Sequence, residues 1–334
     1  MFKNFLITGV TGFLGRAVIN ELKEKQAQIY ALLLPGDALS ADMPSEIHVI
    51  EGDVCDRKSL ESFFAFADEE TCVIHCAGIV SVATKPGKKI YDVNVNGTKN
   101  IISECIEHNV GKLIYVSSVH AIPEKPKGVQ MSETYDFSPE LVRGDYAKSK
   151  AMATEAVLDA AEEGLNASIV FPSGIIGPGD EAHGSITSML LSFIAGKLPL
   201  AVKGGYDFVD VRDVACGIAA CVECGERGKC YILSGHYASI KDILGNVKLI
   251  MGLKRTVSYL PIRFAKMIAP VYERYSLCRK KKLFFTPYAV NVLDSNGLFS
   301  HKNAENALGY KPRLLAETLK DTVNWLTKKR ASAN

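Results

Sequence analysis

The chain has no stretch of ~18–20 uninterrupted apolar residues, the length a membrane-spanning helix needs. Its nearest approach, Ser185–Val202, is broken by Ser188, Ser192, Gly196, Lys197 and Pro199. Nor does Met1–Gly9 carry the extended apolar run of a secretion signal. Neither sign of charge is in excess: 39 Lys and Arg against 37 Asp and Glu leave a formal net charge of +2. That balance supplies no electrostatic footprint for nucleic acid. Repeats and low-complexity tracts are missing as well. The cysteines form no compact framework. Cys221, Cys224 and Cys230 stand close together, but no second CxxC half and no neighbouring histidine completes a zinc set. Cys72, Cys76, Cys105 and Cys216 fall within expected strands and helices, where a free thiol behaves as a small apolar residue. These absences leave a soluble cytoplasmic globular protein as the expectation, with reduced thiols, no metal, no nucleic-acid partner and no integral membrane contact.

What is present is a regular alternation. Phe5-Leu-Ile7, Gln28–Leu34, Val49–Val54, Cys72–Cys76, Lys112–Val116 and Ala167–Phe171 read as short, nearly continuous apolar strands. Helical patterns stand between several of them, over Lys58–Ala67, Thr98–His108 and Asp145–Glu163. Strands apolar on both faces and separated by helices predict an α/β fold: a Rossmann-type doubly wound parallel sheet with ligands at the carboxyl ends of its strands. After Pro172 the pattern loosens. Ile175–His183 reads as a loop, Ser188–Ala195 as a helix and Cys230–Leu233 as a strand. The tail is mainly helical over Ser239–Met251, Ile262–Lys282, Ala304–Leu308 and Leu315–Lys329. The expected organisation is a dinucleotide-binding domain over 1–172 and a smaller, mostly helical substrate-binding lobe over 173–330, with the segment 208–235 returning to the first domain.

Two constellations carry chemistry. Between the first strand and its helix lie Gly9, Gly12 and Gly15. Glycines let the backbone approach a pyrophosphate, and the helix N-terminus presents unpaired N–H groups and a positive dipole end to it. The second is Tyr146-Ala-Lys-Ser-Lys150, whose tyrosine and second lysine face the same way one helical turn apart. A free phenol has a pKa of ~10, and a lysine cation beside it favours the phenolate. Ser117-Ser118 ends a parallel strand at the same sheet edge, where a hydroxyl can hold a substrate oxygen against the phenol.

In this order the residues closely resemble the extended short-chain dehydrogenase/reductases, over about residues 3–328. Thr8-Gly9-Val10-Thr11-Gly12-Phe13-Leu14-Gly15 is similar to that family's cofactor turn. Gly52-Asp53-Val54 resembles its strand-end acid at the adenine, and His75-Cys76-Ala77-Gly78 its stretch beside ribose and nicotinamide. Val93-Asn94-Val95-Asn96-Gly97-Thr98, Tyr115-Val116-Ser117-Ser118 and Phe208–Ala215 match further segments. The resemblance implies Ser118, Tyr146 and Lys150 as the catalytic group: Tyr146 exchanges the proton, Lys150 binds the nicotinamide ribose, and Ser118 orients the substrate oxygen. It implies cofactor contacts at Gly9, Thr11, Gly12, Phe13, Leu14, Gly15, Leu34, Asp53, Val54, Cys76, Ala77, Gly78, Asn94, Ser117, Pro172 and Gly174. A homodimer built on Thr98–His108 and Tyr146–Glu163 follows by the same resemblance.

Cofactor choice depends on the end of the second strand, where an acid reads a ribose 2′-hydroxyl and an arginine a 2′-phosphate. Leu33 and Leu34 stand there, and Asp37 comes only after Pro35-Gly36. A missing acid removes repulsion against a phosphate that Arg16 or Lys58 could reach, which tips the expectation to NADP over NAD. Val119-His120 follows the serine where the family's dehydratases carry an acidic pair, and Phe171 precedes Pro172 where its sugar-nucleotide enzymes often have a polar residue. With Pro172–Pro178 and Leu308–Pro312, the pattern resembles the dihydroflavonol 4-reductase and 3β-hydroxysteroid dehydrogenase side. The expected activity is carbonyl–alcohol interconversion on an apolar alicyclic, aromatic or steroid-like small molecule. A sugar-nucleotide epimerase and a non-catalytic NADP-sensing protein are the alternatives. Candidate substrate contacts are Ser81, Val82, His120, Tyr135, Ser173, Ile175 and Phe208, with His183 in a solvated loop. Arg279-Lys-Lys-Lys282 follows a partly amphipathic helix and reads as a solvated helix end, with a membrane surface as the other reading.

Overall fold

A computed structural model of the chain describes residues 2–37, 43–84, 87–279, 283 and 285–332. Its centre is a parallel sheet made of β1 (Asn4–Thr8), β2 (Gln28–Leu33), β3 (Ile47–Glu51), β4 (Thr71–His75), β5 (Lys112–Val116) and β6 (Ala167–Pro172), with a later strand at one edge. Smaller pairings use β7 (Gly174–Ile176), β8 (Leu200–Val202) and β9 (Gly205–Asp210). The edge strand is β10 (Cys230–Leu233), followed by β11 (His236–Ser239) and β12 (Ser258–Leu260). The spatial order β10-β6-β5-β4-β1-β2-β3 reverses direction between β1 and β4. That reversal opens a crevice at the carboxyl ends of the two strands, where β1 and β4 pair from Asn4 opposite Thr71 to Thr8 opposite His75.

The helices are α1 (Phe13–Leu22), α2 (Glu61–Phe64), α3 (Lys89–Tyr91), α4 (Thr98–Glu107), α5 (Asp145–Glu162) and α6 (Ser185–Ile194). Beyond them come α7 (Val211–Cys224), α8 (Ile240–Ile250), α9 (Ile262–Cys278), α10 (Pro287–Asp294), α11 (Lys302–Leu308) and α12 (Leu315–Ser332). Two apolar layers cover the sheet. One contains Leu6, Phe63, Phe64, Leu113 and Phe171 with the inner face of α5. The other contains Phe5, Ile7, Ile74, Ile114 and the buried residues of α1 and α7. Successive strand residues thus serve opposite layers, which is why the strands read as apolar throughout.

Several expected elements shift. Ile175 and Ile176 lie not in a loop but in β7, which runs parallel to β9, and β9 pairs antiparallel with β11. β3 stops at Glu51, so Asp53 lies beyond it. At Gly52 a Cβ would meet the Ser59 carbonyl oxygen at 2.7 Å, so the segment after β3 packs there without a side chain. The expected helix over Lys58–Ala67 is a 3₁₀ turn, Arg57–Leu60, continued by α2. Asp92–Gly97 winds as a π-helical turn before α4. Cys72, Cys105, Cys221 and Cys230 are buried free thiols, whereas Cys216 is exposed on α7. No helix among the described residues is long and apolar enough to cross a membrane.

Candidate active site

The turn between β1 and α1 is built at minimum separation. Gly9 has φ +71°, and a Cβ on it would stand 2.6 Å from the Ala77 nitrogen. A Cβ on Gly15 would stand 2.2 Å from the Gly9 carbonyl oxygen. Gly12 opens α1 with extended backbone (φ −75°, ψ 166°), and its own N–H is held by the Gly9 carbonyl at 3.1 Å. The first N–H groups of α1 are thereby left for an anion, and a pyrophosphate can lie on backbone that any side chain would block. The residues present fit a dinucleotide. Arg16, one residue on, has two buried guanidinium nitrogens, Nε and Nη2, with no hydrogen-bond partner among the described residues.

The tip of β4 is pinned to this turn by His75, which the sequence reading took only as part of a matching segment. Thr98 Oγ1 donates to the Asn94 carbonyl, so it accepts from His75 Nε2 at 3.0 Å. Thr8 Oγ1 accepts the Ala77 N–H and pairs with His75 Nδ1 at 2.7 Å. Both threonines therefore favour a neutral ring, and burial, followed by the nearby Lys150 charge, pushes the His75 pKa down to about 3. His75 stays uncharged in the fold and binds a proton in the unfolded chain below pH ~6.5. Its stabilising contribution is therefore complete above that pH and is lost as pH falls from about 6.5 toward 3, at about 2 kcal/mol by pH 5. His120, pushed down to about 4 by burial, acts in the same direction. Urea unfolding at pH 7 and pH 5 should show this loss, and His75→Gln should reduce the difference to the share left by His120. An unchanged pH dependence in that variant would remove His75 as its source.

Asn94 is 1% exposed and fully committed. Its Oδ1 accepts the Ile79 N–H at 2.7 Å, and its Nδ2 donates to the Ile79 carbonyl and to Ser149 Oγ. It fastens the loop after β4 to α5. Gly78 lies between Asn94 Oδ1 and Lys150 Nζ, at 3.2 and 3.4 Å from a Cβ built there. Asp53 accepts the Cys55 N–H and closes its own turn, with Val54 buried against Gly97. Leu34 is 55% exposed beyond β2.

The end of β5 separates the two serines. Ser117 turns toward α5, its hydroxyl 2.6 Å from Thr154 Oγ1. Ser118 caps the turn Val119–Ala121 and lies against the Tyr146 phenol. Tyr146 and Lys150 share one face of α5 and are both buried. Lys150 Nζ donates to the Val116 carbonyl at 2.7 Å and to Tyr115 Oη at 3.4 Å, and sits 5.0 Å above the Tyr115 ring. Burial brings its pKa down to about 8. Burial raises the Tyr146 pKa, and the Ser118 hydroxyl opposes the rise. Tyr146 is held as a neutral phenol.

Around it stands an aromatic wall that the sequence reading largely missed. The His120 ring meets Tyr146 edge-on at 5.6 Å, stacks on Tyr206 at 5.5 Å and leans on Tyr288 at 5.9 Å. Its two nitrogens face the two phenols, Nδ1 to Tyr288 Oη at 3.2 Å and Nε2 to Tyr206 Oη at 3.4 Å. Tyr206 also packs on Phe208 and Phe299. Tyr288 enters from α10 by lying over Gly144, whose φ of +90° leaves room for its ring where a Cβ would not. Pro172, Ser173, Gly174 and Ile175 line the passage from β6 into β7, with Ser173 buried beside Asp207. Ser81 accepts the Ala83 N–H in the loop after β4, and the Val82 carbonyl accepts from Thr286. Tyr135 does not join this group. It is 60% exposed and lines a separate surface hollow with Glu155 and Leu158, about 18 Å along α5 from Tyr146. The segment Phe208–Ala215 is mostly structural: Asp210 and Asp213 hold Arg212 and Arg313.

The NAD dependent epimerase/dehydratase family matches residues 5–233. A protein named sterol demethylase protein B, from Methylococcus capsulatus, is 27% identical, with 96% of this chain and 97% of that one covered. A putative dihydroflavonol 4-reductase from Synechocystis is 30% identical, covering 96% of this chain and 94% of its own. Among solved structures, the crystal structure of gox2253 has a TM-score of 0.84 at 30% identity, with 98% of each chain covered. The glycine turn, the strand order and these likenesses agree, and the chain belongs to the NAD dependent epimerase/dehydratase family as an enzyme of the extended short-chain dehydrogenase/reductase type.

Proposed function

We propose that the enzyme interconverts a carbonyl and an alcohol on an apolar, ring-built substrate, with Tyr146 as the proton donor and acceptor. The observation that carries this reading is the neutral Tyr146 phenol beside Ser118, facing a wall of His120, Tyr206 and Tyr288. When bound, the nicotinamide supplies or accepts the hydride. Tyr146 gives its proton to the substrate oxygen, and Ser118 hydrogen-bonds the same oxygen and fixes its distance from the phenol. Lys150, anchored on the Val116 carbonyl next to Gly78, is placed to hold the ribose. Gly9, Gly12, Gly15 and the start of α1 take the pyrophosphate.

The wall favours flat apolar surfaces. Aromatic rings and a neutral imidazole stack on fused or aromatic rings and offer few partners for a polyhydroxylated sugar. The relatives named for a sterol and a dihydroflavonol are consistent with such a substrate. For the cofactor, exposed Leu34 in place of an acid and the unpartnered Arg16 nitrogens favour NADP over NAD. Residues 173–330 act as the substrate-binding lobe, contributing Tyr206 and Tyr288. The test is a panel of steroid, alicyclic and aromatic ketones, run with NADPH and with NADH and followed at the nicotinamide absorbance band. Consumption of cofactor by such ketones, faster with NADPH, is the expected result. Interconversion of a sugar nucleotide with no net absorbance change would replace this reading with that of an epimerase.

A further inference from the structure

Helix α9 is inverted relative to an ordinary surface helix. Its protein-facing positions are Ala265, Ala269, Glu273 and Ser276, all small or polar and all buried. Its outward face carries the large apolar residues: Phe264 is 55% exposed, Met267 72%, Ile268 48% and Val271 70%, with Tyr275 continuing the row at 50%. The spacing i, i+3, i+4, i+7, i+11 keeps them on one stripe. At about 100° per residue, exposed Arg263 and Arg274 fall along one flank of the stripe and exposed Arg279 along the other. The helix has one acidic residue, Glu273, and it is turned inward, where both its oxygens accept from Thr84 at 2.8 Å. Lys280, Lys281 and Lys282, which continue the basic run in sequence, lie outside the described residues.

We propose that this face of α9 docks in the plane of an anionic lipid surface, its apolar stripe in the acyl boundary and its arginines at the headgroups. An apolar stripe flanked by basic residues, on a helix too polar to span, is the pattern of an interfacial helix. Large side chains outward and alanines inward gain nothing for the fold of this chain alone. A second copy of the chain is the poorer occupant, since a two-fold contact on this face would bring arginine against arginine with no exposed acid on either helix. Glu273 and Thr286 tie α9 and the start of α10 to the loop bearing Ser81 and Val82. Docking through this face would hold that loop about one helix thickness from the phase in which an apolar ring-built substrate dissolves. The docking itself does not depend on that substrate reading.

The test is co-sedimentation of the full chain with vesicles of phosphatidylcholine alone and of phosphatidylcholine mixed with phosphatidylglycerol. The mixed vesicles should retain the protein and added salt should release it. Met267→Asp with Val271→Asp should lower partitioning at least about tenfold, and Arg263→Glu with Arg274→Glu about tenfold. Thermal unfolding and cofactor binding should stay unchanged in both, because these side chains are exposed. Equal partitioning of parent and variants would overturn the proposal. So would a parent that ignores vesicles and whose sedimentation mass drops on the aspartate substitutions, which would make the stripe a contact between copies.

Discussion

Tyr146→Phe should lower turnover by roughly three orders of magnitude while leaving cofactor affinity within about threefold, since positioned general acids contribute about 10²–10⁴. The substitution removes one oxygen and keeps the ring. The edge contact with His120 therefore survives, and Ser118 loses a hydrogen-bond partner. Losing one hydrogen bond of this kind changes stability by about 1 kcal/mol, so the variant should fold. The effect should fall on kcat rather than on cofactor binding, because the phosphate cradle lies at the glycine turn. The direction of the phenol's shift adds a second readout. A Tyr146 held protonated by burial is ready to donate at neutral pH, so carbonyl reduction should stay flat through that range. Alcohol oxidation should climb as pH rises toward deprotonation of the phenol. Near-parental turnover in Tyr146→Phe, in both directions, would remove the phenol from the chemistry.

The chemistry-bearing residues that sequence exposed are those set by local geometry. Tyr146 and Lys150 share a face because a helix repeats about every four residues, and Gly9, Gly12 and Gly15 mark a turn because nothing larger fits. The resemblance already set Ser118 apart from Ser117, and the structure adds the physical difference, since Ser117 turns to Thr154. The roles within the group were less legible. Lys150 was expected to draw down the phenol pKa; the fold adds the opposing desolvation of the buried ring and anchors the ammonium on the Val116 carbonyl.

The wall was legible in part. Phe208 was singled out, and alternation along β9 places Tyr206 on the same side two residues earlier, a signal that was there to be used. Tyr288 had none. It lies far along the chain from His120 and reaches it only because α10 packs over Gly144. Tyr135 shows the reverse: it stood on the substrate list, while the chain carries it toward the far half of α5. The face of α9 was legible only as a partly amphipathic helix before a basic run, with a membrane surface as the lesser of two readings. A periodic apolar pattern says that a stripe exists, and only packing shows which way the stripe points.

Gly15→Ala should abolish tight cofactor binding and destabilise the fold together, and the two effects share one cause. The new Cβ would lie 2.2 Å from the Gly9 oxygen and 2.8 Å from both the Gly9 carbonyl carbon and Val10 Cα. All three atoms are backbone, and Gly9 cannot retreat, because it is itself pressed against Ala77 and Cys76. Relief must come from moving the start of α1 outward. Overpacking of this kind costs about 1–3 kcal/mol, and displacing the N–H groups that face the pyrophosphate by ~1 Å should weaken dinucleotide binding on the order of 100-fold. Gly12→Ala is the discriminating partner. Its Cβ would find the Gly9 oxygen at 3.1 Å and nothing else within 4 Å, and its φ of −75° suits any residue. The cofactor-free fold should therefore lose far less than in Gly15→Ala, since relief needs a shift of only a few tenths of an ångström, while the added methyl stands at the opening of the cradle. Thermal unfolding without cofactor, paired with titration of nicotinamide fluorescence, separates the two: Gly15→Ala should fail both measurements and Gly12→Ala only the second. Parental stability and parental affinity in Gly15→Ala would mean that the turn is looser than its backbone contacts require, and that the phosphates are held elsewhere.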